Sequence, residues 1–279
     1  MKPGSVSMPR FPIDPEDRKP LGSTGERVPA IGIGTYGIRS YADAEQAIVH
    51  AIELGLNMID TAEMYGNGLA EEMVCRIVKK VGRDRVFITT KLLPHRFTDP
   101  DTAVRAAEAS ARRMCVETID LVLIHWPNDV LPIHVQIRAL EAIAERGLAR
   151  YIGVSNFRLS ELREAIESTS KYEIVVNQVK YSVLDKAIEK NLLPFCIKNN
   201  ILIQAYTPLE RGAVARHPTI ISVANRYGKT PVQVALNFLI SRPMVVAIPK
   251  TERIERVDEF YGALGWRLAP QDIELLEKV

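Results

Sequence analysis

The chain has 279 residues and a formal net charge of +2, with 47% hydrophobic and 25% charged residues. This length suits one large α/β domain or two small ones, and the composition is typical of a soluble globular protein. The near-neutral charge gives no electrostatic basis for binding nucleic acid or an acidic membrane surface. Because no segment is long and apolar enough to span a membrane and the N-terminus lacks a signal-peptide core, we expect a cytoplasmic protein.

The N-terminal part of the chain divides into an arm and a hairpin. Residues 1–19 are rich in proline and charge, which predicts an irregular arm ahead of a single domain at residues 20–279. Residues 19–29 predict a β-hairpin whose turn lies near Gly22 and Gly25.

Short apolar runs then alternate with amphipathic stretches. The runs lack an alternating polar pattern, as expected of parallel strands that are buried on both faces. The predicted strands are residues 30–35, 57–60, 86–91, 121–125, 151–155, 174–179, 201–206 and 245–249.

Helix signals lie between these strands. Ser40 with Asp43 predicts a capped helix start, and Thr230 followed by Pro231 predicts another. Pro270 is expected to open the last helix. Repeated strand–helix alternation favours a single closed (β/α)8 TIM barrel, with an open doubly wound sheet as the competing topology.

Three cysteines, Cys75, Cys115 and Cys196, lie far apart, each within a predicted helix. An odd number at such spacing indicates neither a disulfide framework nor a metal site. We expect all three to be small unpaired hydrophobic residues in a reducing compartment.

Gly32, Gly34 and Gly37 match the G-x-G-x-x-G pattern of dinucleotide-binding folds, with Asp60 close to where such folds keep a ribose-binding acid. In the true motif the second and third glycines open a helix, whose N-terminus binds the pyrophosphate. Here the helix signal starts only near Ser40. The interpretation we favour is therefore structural: small residues in a crowded first barrel strand.

Four residues that could together perform a proton-coupled hydride transfer lie at or just after the ends of three successive strands: Asp60, Tyr65, Lys91 and His125. Strand ends meet on the catalytic face of a barrel. A phenol could supply the proton to a reduced carbonyl, and a lysine ammonium held by an acid could lower the phenol's pKa. An imidazole could donate a second hydrogen bond to the carbonyl oxygen.

Each of the four has an ordinary alternative. Asp60 could be a helix N-cap, Tyr65 a loop aromatic, and Lys91 a solvated strand-end residue. His125 alone is more often a satisfied core histidine. Their joint placement at corresponding strand ends favours one catalytic site over four separate structural roles.

At these residues the chain resembles the aldo-keto reductase superfamily. The resemblance spans about residues 21–258. Its segments are GIGTYG from Gly32, IDTAEMYG from Ile59, TTK from Thr89, LIHWP from Leu123, IGVSNF from Ile152, NQ from Asn177, AYTPL from Ala205 and IPKT from Ile248. The resemblance implies a TIM barrel and a catalytic tetrad of Asp60, Tyr65, Lys91 and His125, with Tyr65 as the general acid.

Side chains at further strand ends suit a nicotinamide cofactor. Ser155, Asn156 and Gln178 could bond a carboxamide, and Tyr206 could stack on the ring, although each could also be a turn or core residue. The resemblance supports these roles and adds Thr35, with Thr207 and Leu209 along the ribose and pyrophosphate.

The last strand is followed by Lys250, Thr251 and Arg256, a set that suits a 2′-phosphate, although surface arginines on a helix are common. The resemblance implies NADP(H) in preference to NAD(H), and places Glu259 near the adenine. Phe260 stands where many members have Asn, which puts one adenine contact in doubt.

By the same resemblance, Tyr36 and Trp126 line the substrate pocket. The segment 126–131 and the loop after Thr207 are short, and the chain ends just after its final helix. These departures predict short loops on the C-terminal face and an open, weakly selective pocket.

The leading functional hypothesis is a monomeric NADP-dependent reductase of small aldehydes and ketones, reversible in principle and independent of a metal. One alternative is an NADP-binding regulatory subunit resembling potassium-channel β subunits. A second is a Schiff-base lyase that uses Lys91, and a third is a Rossmann-type dehydrogenase.

Overall fold

The computed structural model describes residues 8–279, so residues 1–7 of the predicted N-terminal arm lie outside the described part. Residues 8–17 form neither helix nor strand. They are held to the body by the buried ring of Phe11 and by a hydrogen bond of 2.8 Å from the Asp14 amide to the Ser241 carbonyl.

The predicted hairpin is present. Strands β1 (Arg18–Pro20) and β2 (Arg27–Pro29) pair antiparallel around the glycine-containing turn. Leu21 and Val28 of this hairpin pack with Met58 and Phe87, which lie at the starts of barrel strands. The hairpin therefore covers the N-terminal end of the barrel, leaving the opposite end for the polar strand ends.

Eight parallel strands follow in sequential order, which confirms the predicted TIM-like α/β fold. They are β3 (Ile33–Gly34), β4 (Met58–Asp60), β5 (Phe87–Leu92), β6 (Ile119–Ile124), β7 (Ala149–Ser155), β8 (Ile174–Lys180), β9 (Leu202–Tyr206) and β10 (Val245–Ala247). Parallel bridges from Ile31 to Ala247 and from Gly34 to Lys250 join the last strand to the first. The strand order has no reversal point, so the doubly wound alternative is wrong.

Helices surround the strands and bury their apolar stripes against them. They are α1 (Tyr41–Glu53), α2 (Leu69–Val81), α3 (Pro100–Met114), α4 (Ile133–Glu145), α5 (Leu159–Ser168), α6 (Leu192–Lys198), α7 (Pro218–Tyr227), α8 (Pro231–Ile240), α9 (Ile254–Tyr261) and α10 (Pro270–Glu277). The predicted caps form: the Ser40 side chain accepts from the Asp43 amide, and Thr230 forms a capping box with Gln233.

The glycine pattern has the structural role that we favoured. A Cβ on Gly32 would lie 2.8 Å from the Met58 carbonyl oxygen, and one on Gly34 would lie 3.0 Å from the Ile248 carbonyl oxygen. Both glycines precede α1 and let β3 approach its two neighbours closely. They are not the start of a phosphate-binding helix.

The expectation for the cysteines is wrong for two of the three. Cys75 of α2 and Cys115, directly after α3, form a disulfide with their Cα atoms 5.0 Å apart. Cys115 is not helical but has a left-handed φ of 57°. Helix periodicity placed Cys75 and Cys196 in helices correctly, but it placed Cys115 one residue too far into α3 and did not reveal that α2 and α3 pack side by side. Cys196 remains free and buried, and burial raises the pKa of its thiol to about 12.

Candidate active site

The barrel brings the four predicted residues together at its C-terminal end. Asp60 is the last residue of β4, Lys91 lies near the end of β5, and His125 directly follows β6. Tyr65 begins a short 3₁₀ turn just beyond β4. Strand register fixes the first three relative to one another, because Asp60 pairs with Thr89 and Leu92 pairs with Ile124.

Lys91 and Asp60 form a buried ion pair. The Lys91 Nζ lies 2.6 Å from the Asp60 Oδ1 and donates to the Thr61 carbonyl at 2.8 Å, and the two side chains are only 1% and 5% exposed. Gln178 adds a hydrogen bond of 2.7 Å from its Nε2 to the same Asp60 oxygen. Burial lowers the pKa of Lys91, and the Asp60 charge opposes that shift. Extra hydrogen bonds of this kind offset the desolvation cost of a buried pair.

Tyr65 packs against this pair, with the Lys91 Nζ 5.0 Å from its ring centroid. Burial raises the pKa of Tyr65, and the Asp60 charge raises it further. The expectation that Lys91 lowers this pKa is therefore wrong for the protein alone. The phenol is desolvated, and the Asp60 charge partly offsets that of Lys91, whose Nζ it contacts at 2.6 Å. Tyr65 thus keeps its proton at neutral pH, which is the form that an acid requires.

The His125 ring lies beside Tyr65, with the ring centroids 5.7 Å apart. Burial, aided by the Lys91 charge, lowers the pKa of His125 to about 3. The imidazole is therefore neutral at physiological pH and can donate from one ring nitrogen only. Its Nδ1 is buried without a hydrogen-bond partner among residues 8–279, so the alternative of a satisfied core histidine is wrong.

The uncommitted polar groups are the distinctive feature of this site. The His125 Nδ1 is buried without a hydrogen-bond partner among residues 8–279, and neither the His125 Nε2 nor the Tyr65 hydroxyl bonds to another group in that range. Buried polar groups normally have partners, and exceptions need an explanation. A carbonyl oxygen placed between the two rings could accept a hydrogen bond from both.

The predicted nicotinamide contacts form a connected group beside these rings. Asn156 donates from Nδ2 to the His125 carbonyl at 3.1 Å and to the Ser155 Oγ at 3.1 Å. Its Oδ1 accepts from the Tyr206 hydroxyl at 2.8 Å. Gln178 uses both amide hydrogens, on Asp60 and Gln204, which leaves its Oε1 as an acceptor. The group orients Tyr206 and offers one free acceptor.

Other predicted site residues lie close to Tyr65, His125, Asp60 or Tyr206. Tyr36 is 65% exposed with its ring 5.2 Å from that of Tyr65, and Trp126 is 40% exposed with its ring 4.8 Å from His125. Thr35 is buried and donates to the Asp60 carbonyl at 3.0 Å. Thr207 and Leu209 follow Tyr206 in the loop after β9, and Leu209 packs on the main core.

The predicted phosphate residues lie beyond β10, at the same end of the barrel. Lys250 forms an ion pair with Glu252, and Arg256 forms one with Glu259. Thr251 is buried and accepts from the Arg253 amide at 3.1 Å. The sequence identified Lys250 and Arg256 as cations that suit a 2′-phosphate but did not show that each has a carboxylate partner.

Two residues of this end of the barrel were missed. Gln204, buried in β9, accepts from Gln178 at 2.8 Å and is the polar residue in an otherwise apolar strand interior, which was a usable signal. Glu252 had no such signal, since its partners include the distant amides of Arg39 and Ser40.

Two negative findings concern the described residues. No helix in residues 8–279 is long and apolar enough to cross a membrane. No cluster of three or more His, Cys, Asp or Glu side chains in the same range has the geometry of a metal site.

Comparisons with known proteins show that this chain is similar in sequence and fold to several reductases. The methylglyoxal reductase YeaE of Escherichia coli is 32% identical over 260 residues, which cover 90% of each protein. A thermostable aldo-keto reductase, Tm1743, solved with the inhibitor epalrestat, is 38% identical, with a TM-score of 0.86 and coverage of 94% of this chain and 98% of that one. An aldo/keto reductase from Klebsiella pneumoniae, solved with NADP and acetate, is 33% identical, with a TM-score of 0.88 and coverage of 94% and 95%.

The model of the aldo/keto reductase family matches residues 30–279, which include every strand of the barrel. This match, the barrel and the polar strand ends place the protein in a family of oxidoreductases. The chain belongs to the aldo/keto reductase family.

Proposed function

We propose that the protein reduces small aldehydes and ketones to alcohols with NADP(H), in a reversible reaction in which Tyr65 is the general acid. The observation that carries this proposal is the pair of uncommitted groups, the Tyr65 hydroxyl and the neutral His125 ring, beside the buried Lys91–Asp60 pair. These groups meet the needs of a carbonyl oxygen on which negative charge develops.

The residues fit a nicotinamide cofactor. We assign the nicotinamide side to Thr35, Ser155, Asn156, Gln178 and Tyr206, where the free Gln178 Oε1 suits a carboxamide. We assign Thr207 and Leu209 to the pyrophosphate and ribose. We assign binding of the 2′-phosphate to Lys250, Thr251 and Arg256. We place Glu259 near the adenine. NADP(H) bound along these residues supplies or accepts the hydride.

The chain's own contribution is to bind, orient and protonate the carbonyl. The neutral His125 donates a hydrogen bond to the substrate oxygen and directs it toward Tyr65. The Tyr65 hydroxyl then transfers its proton to that oxygen. Lys91, held by Asp60, places a positive charge 5.0 Å from the phenol ring, which stabilises the phenolate left behind. Tyr36 and Trp126 form the exposed sides of the substrate pocket.

NADPH absorbance followed across a panel of aldehydes, ketones and sugars tests this function, with NADH measured in parallel. We expect consumption of NADPH with small reactive carbonyls, and broad, weak selectivity because the rim loops are short. Binding of NADPH without turnover on any member of the panel would instead favour a regulatory NADP-binding subunit.

The lyase alternative is weak, because the Lys91 amine is buried and bonded to both Asp60 and Thr61. Borohydride treatment in the presence of a carbonyl substrate should leave Lys91 unmodified. A substrate adduct trapped on Lys91 would support the lyase. A cytoplasmic location and a monomeric state remain predictions. The Cys75–Cys115 disulfide argues against a reducing compartment, because disulfides persist mainly in oxidising environments.

A further inference from the structure

Glu252 occupies an anion-binding position built by the chain itself. Its Oε1 accepts from the Arg39 amide at 3.1 Å, and its Oε2 accepts from the Ser40 amide at 3.0 Å. Lys250 donates to the same carboxylate from its ammonium. Two successive backbone N–H groups and a cation form a donor set that commonly binds phosphate or carboxylate.

The charges around this position cancel. Each of three cations in the segment is paired with an acid from the same segment, namely Lys250 with Glu252, Arg253 with Glu255 and Arg256 with Glu259. Burial acts to raise the pKa of Glu252, but the hydrogen bonds from Lys250, Ser40 and Arg39 outweigh it and lower that pKa to about 2. Glu252 is therefore a full negative charge at any physiological pH.

The position adjoins the proposed cofactor path. Lys250 is bridged to Gly34, and Gly34 pairs with Asp60 of the candidate active site. A cavity of about 330 Å³ opens beside it, lined by Asp43, Gln46, Glu252, Arg253, Ile254 and Glu255. Lys250, Arg39 and Ser40 do not line this cavity, and the three donors that they supply already hold the Glu252 carboxylate.

We propose that Glu252 competes with the cofactor 2′-phosphate for Lys250 and the Arg39 and Ser40 amides, and so sets how strongly the enzyme prefers NADP(H) over NAD(H). This inference rests on the proposed function. A 2′-phosphate entering here meets a fixed like charge and must displace the carboxylate. A 2′-hydroxyl carries no charge and can donate a hydrogen bond to the same carboxylate. Glu252 therefore reduces the difference in affinity between NADP(H) and NAD(H).

The test compares Glu252→Gln with Glu255→Gln. Both changes remove one negative charge from the same segment, but the Glu255 side chain is 76% exposed and forms its ion pair with Arg253, at 3.5 Å. Dissociation constants of NADPH and NADH are measured by fluorescence, and those of adenosine 2′-monophosphate and 5′-monophosphate by calorimetry. The two mononucleotides report on the phosphate position without the nicotinamide or any turnover.

We expect Glu252→Gln to tighten the binding of NADPH and adenosine 2′-monophosphate about 10-fold, which corresponds to about 1.4 kcal/mol, because a close like charge is removed. The affinities for NADH and the 5′-monophosphate should change less than about 2-fold. Glu255→Gln should change all four by less than about 2-fold, because exposed charges interact weakly. Glu252→Ala, which also frees the two amides, should move the NADPH-to-NADH ratio in the same direction.

The proposed role of Glu252 would be overturned if Glu252→Gln changed the dissociation constants of NADPH and NADH equally. It would also be overturned if the ratio of these two constants were the same in the Glu252 and Glu255 variants. If the wild type binds neither dinucleotide, the proposed function itself fails, and this outcome is distinct from an unchanged ratio. Glu252→Ala provides the ratio independently if the glutamine variant does not fold.

Discussion

Lys91 at the end of β5 and Lys250 just beyond β10 both hold a carboxylate, but the first pair is sealed in the barrel while the second reaches solvent. The Lys91 and Asp60 side chains are 1% and 5% exposed, against 34% and 17% for Lys250 and Glu252. Asp60 comes from the neighbouring strand and is also held by Gln178. Glu252, in contrast, lies only two residues after Lys250 in the same segment.

This difference separates a fixed site from an adjustable one. Strand register, a feature of the whole barrel, holds the Lys91 pair, so its geometry cannot change without disturbing the fold. The Lys250 pair depends on side-chain rotamers at the start of α9 and on the approach of Arg39 and Ser40. We call the surroundings of the Lys91–Asp60 pair the rigid corner and those of the Lys250–Glu252 pair the adjustable corner. We infer that proton transfer takes place at the rigid corner and that the adjustable corner discriminates between the cofactors.

The largest effect is expected from Tyr65→Phe, which removes the proposed acid but little else, since the hydroxyl makes no hydrogen bond within the described chain. Turnover should fall about 1000-fold, within the range of general acid catalysis, while NADPH affinity stays close to wild type. Steady-state rates and fluorescence titration measure the two. Tyr261→Phe, a tyrosine exposed on α9, is the matched control and should keep full activity. An active Tyr65→Phe enzyme would remove Tyr65 from the mechanism.

Lys91→Met should cost both activity and stability. Removing one partner leaves the Asp60 charge buried, which costs about 3–5 kcal/mol of unfolding free energy. Denaturant titration measures this cost, and Asp60→Asn combined with Lys91→Met should recover part of it. A loss below about 1 kcal/mol would mean that the Lys91 pair behaves like a surface pair.

Loss of the Cys75–Cys115 disulfide should destabilise the helices behind the rigid corner. Glu71 of α2 is buried and links Thr90 of β5 to Arg113 of α3, at 2.6 Å to each. The disulfide spans 40 residues, so the double serine variant should lose about 4 kcal/mol by chain entropy. Thermal melts with and without dithiothreitol check this: the reductant should lower the wild-type melting temperature and leave the variant unchanged. An insensitive wild type would show that the cross-link does not stabilise the fold.

Lys250→Met should have the smallest effect on stability, at most about 1 kcal/mol, because surface pairs contribute little. Its affinity for NADPH should drop several-fold relative to NADH, as measured by fluorescence titration. A stability loss as large as that of Lys91→Met would abolish the contrast between the two pairs.

The sequence allowed the proximity of the residues in the rigid corner to be predicted, but not the contacts of Glu252 in the adjustable corner. Asp60, Lys91 and His125 follow apolar strands, and the ends of parallel strands must meet on one face, so their proximity was predictable. The sign of the Tyr65 pKa shift was not, because it depends on how deeply the ring is buried. The Cys75–Cys115 bond depends on which helix faces touch. The two backbone amides that bind Glu252, those of Arg39 and Ser40, lie more than 200 residues away along the chain.

The most direct measurement uses NADPH with both C4 hydrogens replaced by deuterium, with a reactive aldehyde as substrate and mass spectrometry of the alcohol. The account predicts one deuterium on the carbinol carbon in the wild-type product. It also predicts almost no alcohol from Tyr65→Phe in the same time. Alcohol without deuterium, or labelled alcohol formed at the wild-type rate by Tyr65→Phe, would contradict it.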